Sequence, residues 1–267
     1  MPLPFVPAER TKRLIFKRVL YPLLSLIDVF TIIVGKAQPR VPFLVKGDPP
    51  TTYYNFRIKP DQLEAFRVYI NLPEHLPLTP IKCLTDESED YLLTLNVYHV
   101  GGILTGVRAE WSTYVTDHLG IRRYMVLEAR SSKISFDAAS FITRATLVEH
   151  DNQNDILTSV VESEEQKIFR IDSDLSSLEQ CHYLTVAGEW IEANDYIYWR
   201  NGICDRTFYE AGMANSRVKN VPNESITIDD QTHWAPFIET KPKHTLVFEA
   251  PMEFILVPWR NLETIES

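Results

Sequence analysis

Val107-Arg-Ala-Glu-Trp-Ser-Thr-Tyr-Val115 reads as a β-strand whose two faces differ sharply. At the two-residue period of a strand, Arg108, Glu110, Ser112 and Tyr114 share one face, and Val107, Ala109, Trp111, Thr113 and Val115 share the other. A carboxylate and a guanidinium on one face have two explanations. Either that face is solvated, or it lines a wet pocket built around Glu110. The strands expected beside it read as apolar on both faces, which favours the pocket.

The same period recurs outward from this stretch. Strands are expected over residues 53–58, 91–100, 104–115, 124–130, 145–150, 156–162, 168–171, 190–200, 225–228 and 244–250, with Asp, Asn, Gly and Pro between them. One helix is expected over residues 60–69, opened by Pro60, ending before Pro73 and turning Leu63, Phe66 and Tyr69 inward. So many strands without intervening helices predict an α+β chain of mainly antiparallel β-structure. A closed or nearly closed barrel fits better than a βαβ sheet, which needs a helix in every crossover.

A chain of 267 residues, 45% hydrophobic, can bury one large core or two smaller ones. Its formal charge of −9 argues against a nucleic-acid groove, so no nucleic-acid partner is expected. Cys83, Cys181 and Cys204 stand apart from one another, which suggests neither a CxxC metal site nor a disulfide framework and points to a reducing compartment, the cytoplasm. Residues 1–42 read as a separate extension before a domain at 43–267. Within it Arg10, Lys12, Arg13, Lys17 and Arg18 precede the apolar run Leu20 to Val34, which Pro22 and Asp28 interrupt. That run is short for a membrane span of roughly 20 residues. Its expected role is an amphipathic helix packed on the domain or on a second subunit of a homo-oligomer, with peripheral membrane contact through residues 10–34 as the competing reading.

The order of segments resembles a known family. Tyr53-Tyr-Asn-Phe-Arg-Ile-Lys-Pro-Asp61, the short helix and Asn71-Leu-Pro-Glu-His-Leu76 look like the entry unit of the acetoacetate decarboxylase superfamily. Thr245-Leu-Val-Phe-Glu-Ala-Pro-Met-Glu-Phe-Ile-Leu-Val-Pro258 resembles its closing strand, and Glu110 sits where that family places an active-site glutamate. The resemblance covers about residues 43 to 262. It implies a cone-shaped, mostly antiparallel β-barrel with a few short helices and an internal, cofactor-independent active site. Two departures stand against the family's usual reaction. Its Schiff-base lysine has no counterpart in Phe136-Asp-Ala-Ala-Ser-Phe-Ile-Thr-Arg144, and its carboxylate-binding arginine falls near Thr51 or Thr52. Without an amine no iminium forms, so ordinary acetoacetate decarboxylation is rejected.

Lys133 is the lysine near enough in sequence to stand in as an amine nucleophile, although a lysine between strands is usually solvated. Glu110 is the expected general acid or base, with a pKa that burial would raise. Beside Arg108 on the same face, it could instead form a structural ion pair. Tyr114 either donates to a substrate oxygen or packs. A second polar concentration runs from Glu192 to Tyr209. There Asn201-Gly202 reads as a tight turn that would pair Arg200 with Asp205 or Arg206 across two strands. The sharper reading has Arg200 or Arg206 bind a substrate carboxylate, with Tyr198 among the apolar walls.

The seven histidines show no HxH, HxxxH or HExxH spacing, and no nucleophile elbow, phosphate loop or dinucleotide fingerprint occurs, so no metal or cofactor is expected. Two functions remain. One is an acid-base enzyme acting on a carbonyl- or carboxylate-bearing small molecule, a lyase, dehydratase, isomerase or cyclase. The other is a non-catalytic barrel holding an apolar lipid or polyketide-like ligand.

Overall fold

A computed structural model of the chain describes residues 43–70, 78–84, 89–101, 106–117, 120, 122–132, 142–144, 147–162, 168–181, 183–186, 189–192, 197–204, 207–214, 218–249 and 252–261. Residues 1–42, and with them the expected extension, lie outside these.

The described elements are, in chain order, β1 (Phe43–Arg57), α1 (Leu63–Tyr69), β2 (Thr79–Pro80), β3 (Cys83–Leu84), β4 (Glu89–Asp90), β5 (Leu92–Gly101), β6 (Gly106–Thr116), β7 (Arg122–Ser131), β8 (Ile142–Arg144), β9 (Leu147–Gln153), β10 (Ile156–Glu162), β11 (Ile168–Asp174), β12 (Glu179–Gln180), β13 (Tyr183–Val186), β14 (Glu189–Glu192), β15 (Ile197–Cys204), β16 (Thr207–Ala214), β17 (Val218–Asn220), β18 (Ile226–Asp230), β19 (His244–Phe248) and β20 (Met252–Asn261). Short 3-10 turns add to the helix, one of them at Pro60–Gln62 leading into α1. Mainly antiparallel β-structure with few helices is therefore what the chain adopts. None of the described helices is long and apolar enough to cross a membrane.

Two sheets carry the fold. The larger has twelve strands, and the smaller has the order β18-β11-β10-β9. In the larger, β1 pairs with β5 along one edge and with β20 and then β19 along the other. All its pairings are antiparallel except β15 with β7 and β7 with β8.

The core forms where these sheets face each other. The period of two puts Tyr54 and Phe56 of β1, Leu93, Leu95 and Val97 of β5, and Val107, Ala109 and Trp111 of β6 on one side of the large sheet. There they meet Val148, Val161, Phe169, Ile171 and Ile226 of the small sheet. Trp111 and Phe169 contact edge to face with ring centroids 5.4 Å apart, a favoured aromatic geometry. The helix closes one end. Phe66 is fully buried against Trp234 and Phe237, Leu63 is partly buried on the same core, and Tyr69 is half exposed, lying over Phe237 with ring centroids 5.0 Å apart.

Two local expectations fail. Asn201-Gly202 is not a turn: it lies inside β15, whose residues pair with β16 on one side and with Arg123 and Tyr124 of β7 on the other. Pairing on both edges overrides a local turn preference, so Arg200 lies opposite Ala211 and Cys204 opposite Thr207. Of the strand expected at 190–200, the described residues fall in β14 and β15. The neighbour of the Glu110 strand is also not apolar on both faces. In β5, Thr94, Asn96 and Tyr98 alternate with the core residues Leu93, Leu95 and Val97.

Candidate functional site

Registers β1–β5–β6 place a polar array on the side of the large sheet opposite the core. Its first row is Asn55, Thr94 and Ser112, its second Tyr53, Asn96 and Glu110, and its third Tyr98 and Arg108. This face is not solvated. Asn55, Thr94, Asn96, Tyr98, Arg108 and Ser112 are all buried, and the Glu110 side chain is only 13% exposed.

Most of the array is tied together. Tyr98 donates its hydroxyl hydrogen to Glu110 Oε1 at 2.9 Å, and Arg108 Nη1 donates to Tyr98 Oη at 3.4 Å. The same Nη1 lies 3.6 Å from Glu110 Oε1, an ion-pair distance, and the guanidinium sits 6.0 Å from the Tyr98 ring centroid. Thr94 Oγ1 donates to Asn55 Oδ1 at 2.7 Å. Asn96 Oδ1 and Ser112 Oγ differ: both are fully buried, and neither has a hydrogen-bond partner among the described residues. A buried polar atom left unpaired costs about 1–3 kcal/mol, so a fold keeps such atoms where something else compensates. Both sit next to Glu110, Asn96 directly opposite it and Ser112 two residues along its own strand.

A carboxylate, a phenol and a guanidinium converging in a water-poor place make a proton-transfer set. The carboxylate can take a proton, while the guanidinium can hold a carboxylate or stabilise developing oxyanion charge. Among the described residues, no group of three His, Cys, Asp or Glu side chains is placed to share a metal ion.

Another buried ionic cluster lies on the core side and ties the large sheet to the loop after β18. Glu128 of β7 accepts from Arg130 Nε at 2.6 Å on Oε1, and from Trp234 Nε1 at 3.2 Å and His233 Nε2 at 3.0 Å on Oε2. Burial pushes this carboxyl up, but the His233 bond and the Arg130 charge outweigh it and hold the group below the usual carboxylate range. A depressed folded value means stability that is present above the unfolded value of 4.5 and lost as pH falls through the folded one. Glu128→Gln is expected to cost about 2 kcal/mol at pH 7, the scale of hydrogen bonds to a charged group. In urea titrations that gap should narrow as pH falls below 4.5 and through the depressed folded value, where the wild-type carboxylate protonates too.

Of the residues expected from sequence, Arg108 and Glu110 are brought together. Tyr114 shares their face but lies at the far end of β6. There it packs with Tyr124, ring centroids 5.5 Å apart, in a small apolar cluster with Cys83 and Leu92. Tyr198 and Arg200 lie on β15, and nothing is described of their side chains. Lys133 and Arg206 fall outside the described residues. Asn96 and Tyr98 are added by the structure. Their signal was the alternation in Leu92-Leu-Thr-Leu-Asn-Val-Tyr98, which repeats that of the Glu110 strand.

No protein-family model matches the chain, and no curated protein matches it. Among solved structures it is similar to an acetoacetate decarboxylase from Legionella pneumophila, at 9% identity over 80% of this chain and 85% of that one, with a TM-score of 0.47. It is also similar to a second acetoacetate decarboxylase, at 12% identity over 85% and 91% with a TM-score of 0.49. A third is an acetoacetate decarboxylase-like enzyme from Sphingomonas wittichii, at 8% identity over 85% and 96% with a TM-score of 0.48. At these identities and scores the likeness concerns the course of the backbone, and the chemistry of the site rests on its own side chains.

Proposed function

We propose that this protein is a cofactor-independent enzyme that binds a small carbonyl- or carboxylate-bearing molecule against the Glu110 face and moves a proton with Glu110 as its base. One observation carries the reading: Tyr98, Glu110 and Arg108 converge on a buried face that also holds Asn96 Oδ1 and Ser112 Oγ, neither with a hydrogen-bond partner among the described residues. Buried polar groups in this number favour a polar ligand over an apolar cargo. In the step envisaged, Glu110 removes a proton from the carbon next to a carbonyl. The electron pair moves onto the carbonyl oxygen, and Arg108 holds the resulting enolate. Reprotonation at the same or a neighbouring carbon completes an isomerisation, and loss of a group beta to the carbanion completes an elimination. No amine is required, so the reading is independent of Lys133.

We further infer that the large sheet closes into a barrel with the Glu110 face inside. Strand pairings running β1–β20–β16–β15–β7–β6–β5 and back to β1 support this.

Proton NMR in D2O over a panel of 2-keto and 3-keto acids tests the proton-transfer reading. Wild-type protein is expected to catalyse deuterium incorporation next to the carbonyl of at least one acid, and Glu110→Gln to slow it about 100-fold or more, the usual weight of a general base. Tyr98→Phe, which deletes the donor to Glu110, should fall between the two. Exchange that is no faster with wild type than with the Gln variant rejects Glu110 as the base.

A further inference from the structure

Asn96 Oδ1 can only accept a hydrogen bond, whereas Ser112 Oγ can donate and accept. Neither is served by the protein among the described residues, although both are fully buried and Thr94, Tyr98 and Glu110 beside them are bonded. A ligand that satisfied both would bring a hydroxyl: its hydrogen to Asn96, and its oxygen to the Ser112 hydrogen. Arg108 stands one row above Asn96, and Ser112 one row below. Rows of a strand face repeat every two residues, about 7 Å. A carboxylate on the guanidinium and a hydroxyl at this position are therefore separated by two or three carbons.

We propose that Asn96 and Ser112 form a hydroxyl subsite, and that the substrate is a short acid carrying a hydroxyl group on its third or fourth carbon. This rests on the reading of the Glu110 face as a ligand site and adds the group that site selects for. Discrimination of this kind is large because a ligand lacking the hydroxyl leaves buried polar atoms unpaired in the complex. In the free protein the same two atoms are a standing cost, as at sites where function is kept at the expense of stability.

Calorimetric titration of the full chain with butanoate, 3-hydroxybutanoate and 4-hydroxybutanoate tests the subsite. Wild-type protein is expected to bind one of the hydroxy acids about tenfold more tightly than butanoate, the worth of one well-made hydrogen bond. Asn96→Leu should erase that preference, and Ser112→Ala, the gentler change, should reduce it. Because Asn96→Leu removes an unpaired acceptor, its ligand-free melting temperature should rise by about 2–4 °C. Equal binding of all three acids by wild type, or an unchanged hydroxyl preference in Asn96→Leu, overturns the subsite and leaves the carboxylate site standing. Absence of butanoate binding, with no difference between wild type and Arg108→Met, overturns the carboxylate reading beneath it.

Discussion

Trp111→Ala is expected to lower the unfolding free energy by about 4 kcal/mol, the middle of the range for emptying a buried tryptophan site. Trp111 is 3% exposed and touches three separate parts of the molecule. Its ring lies 5.4 Å from Phe169 of the small sheet, 6.0 Å from Phe56 of its own sheet and 6.1 Å from Trp234 of the loop after β18. Truncation thus opens a cavity where sheet, sheet and loop meet, and no single neighbour can collapse into it without leaving another contact. A domain stable by about 5–15 kcal/mol loses a large share of that in one substitution. Trp111→Phe keeps an aromatic ring in contact and should cost markedly less. Urea unfolding of the two variants beside wild type measures both losses, and an alanine variant within 1 kcal/mol of wild type would show that the sheets are not held together here.

The same nine residues, 107–115, explain why the core was easier to read from sequence than the site. Val107, Ala109 and Trp111 face the core because apolar side chains at a period of two need only one partner surface, and that requirement is local. The opposite face was legible in identity but not in setting. Glu110 and Arg108 were correctly placed side by side, yet whether their face met solvent depended on what lies across it, which no local pattern encodes. Reading the strand at 91–100 as apolar on both faces hides Asn96 and Tyr98, although Thr94, Asn96 and Tyr98 supply the polar half of a two-strand array. Asn201-Gly202 misled for the opposite reason. Its local preference is for a turn, and two paired strands hold it extended. The sequence could not rank local preference against long-range pairing, and at Asn201-Gly202 pairing won.

Between the two sheets lies a buried histidine whose protonation should set the acid limit of the fold. His150 of β9 bonds through Nε2 to the Pro50 carbonyl at 2.8 Å, so that nitrogen donates and carries the hydrogen. In the neutral ring Nδ1 then accepts from Ser159 Oγ at 2.8 Å, which leaves Ser159 Oγ to accept from the Tyr54 hydroxyl at 3.2 Å. The chain of donors fixes one tautomer and links the small sheet to β1. A second proton on the ring would put hydrogen against hydrogen at Ser159 and strand a charge in the core, with the His99 ring 5.6 Å away. Burial accordingly pushes the His150 pKa down from 6.5 to about 4, the Pro50 bond opposing and His99 assisting. Because the folded value lies below the unfolded one, the unfolded chain binds the proton first. Stability is then fully present above about pH 6.5 and is lost as pH falls toward 4. Two and a half units at 1.36 kcal/mol each make the loss about 3 kcal/mol over that window. His150→Gln replaces the ring with a group that does not titrate. Its unfolding free energy at pH 7 should be lower than that of wild type, because the shape and one of the bonds are lost. Between pH 6.5 and 4 its curve should be flatter by close to one proton, so that the two curves converge on acidification. Parallel curves across that interval would assign the acid sensitivity to the carboxylates instead and remove His150 from the account.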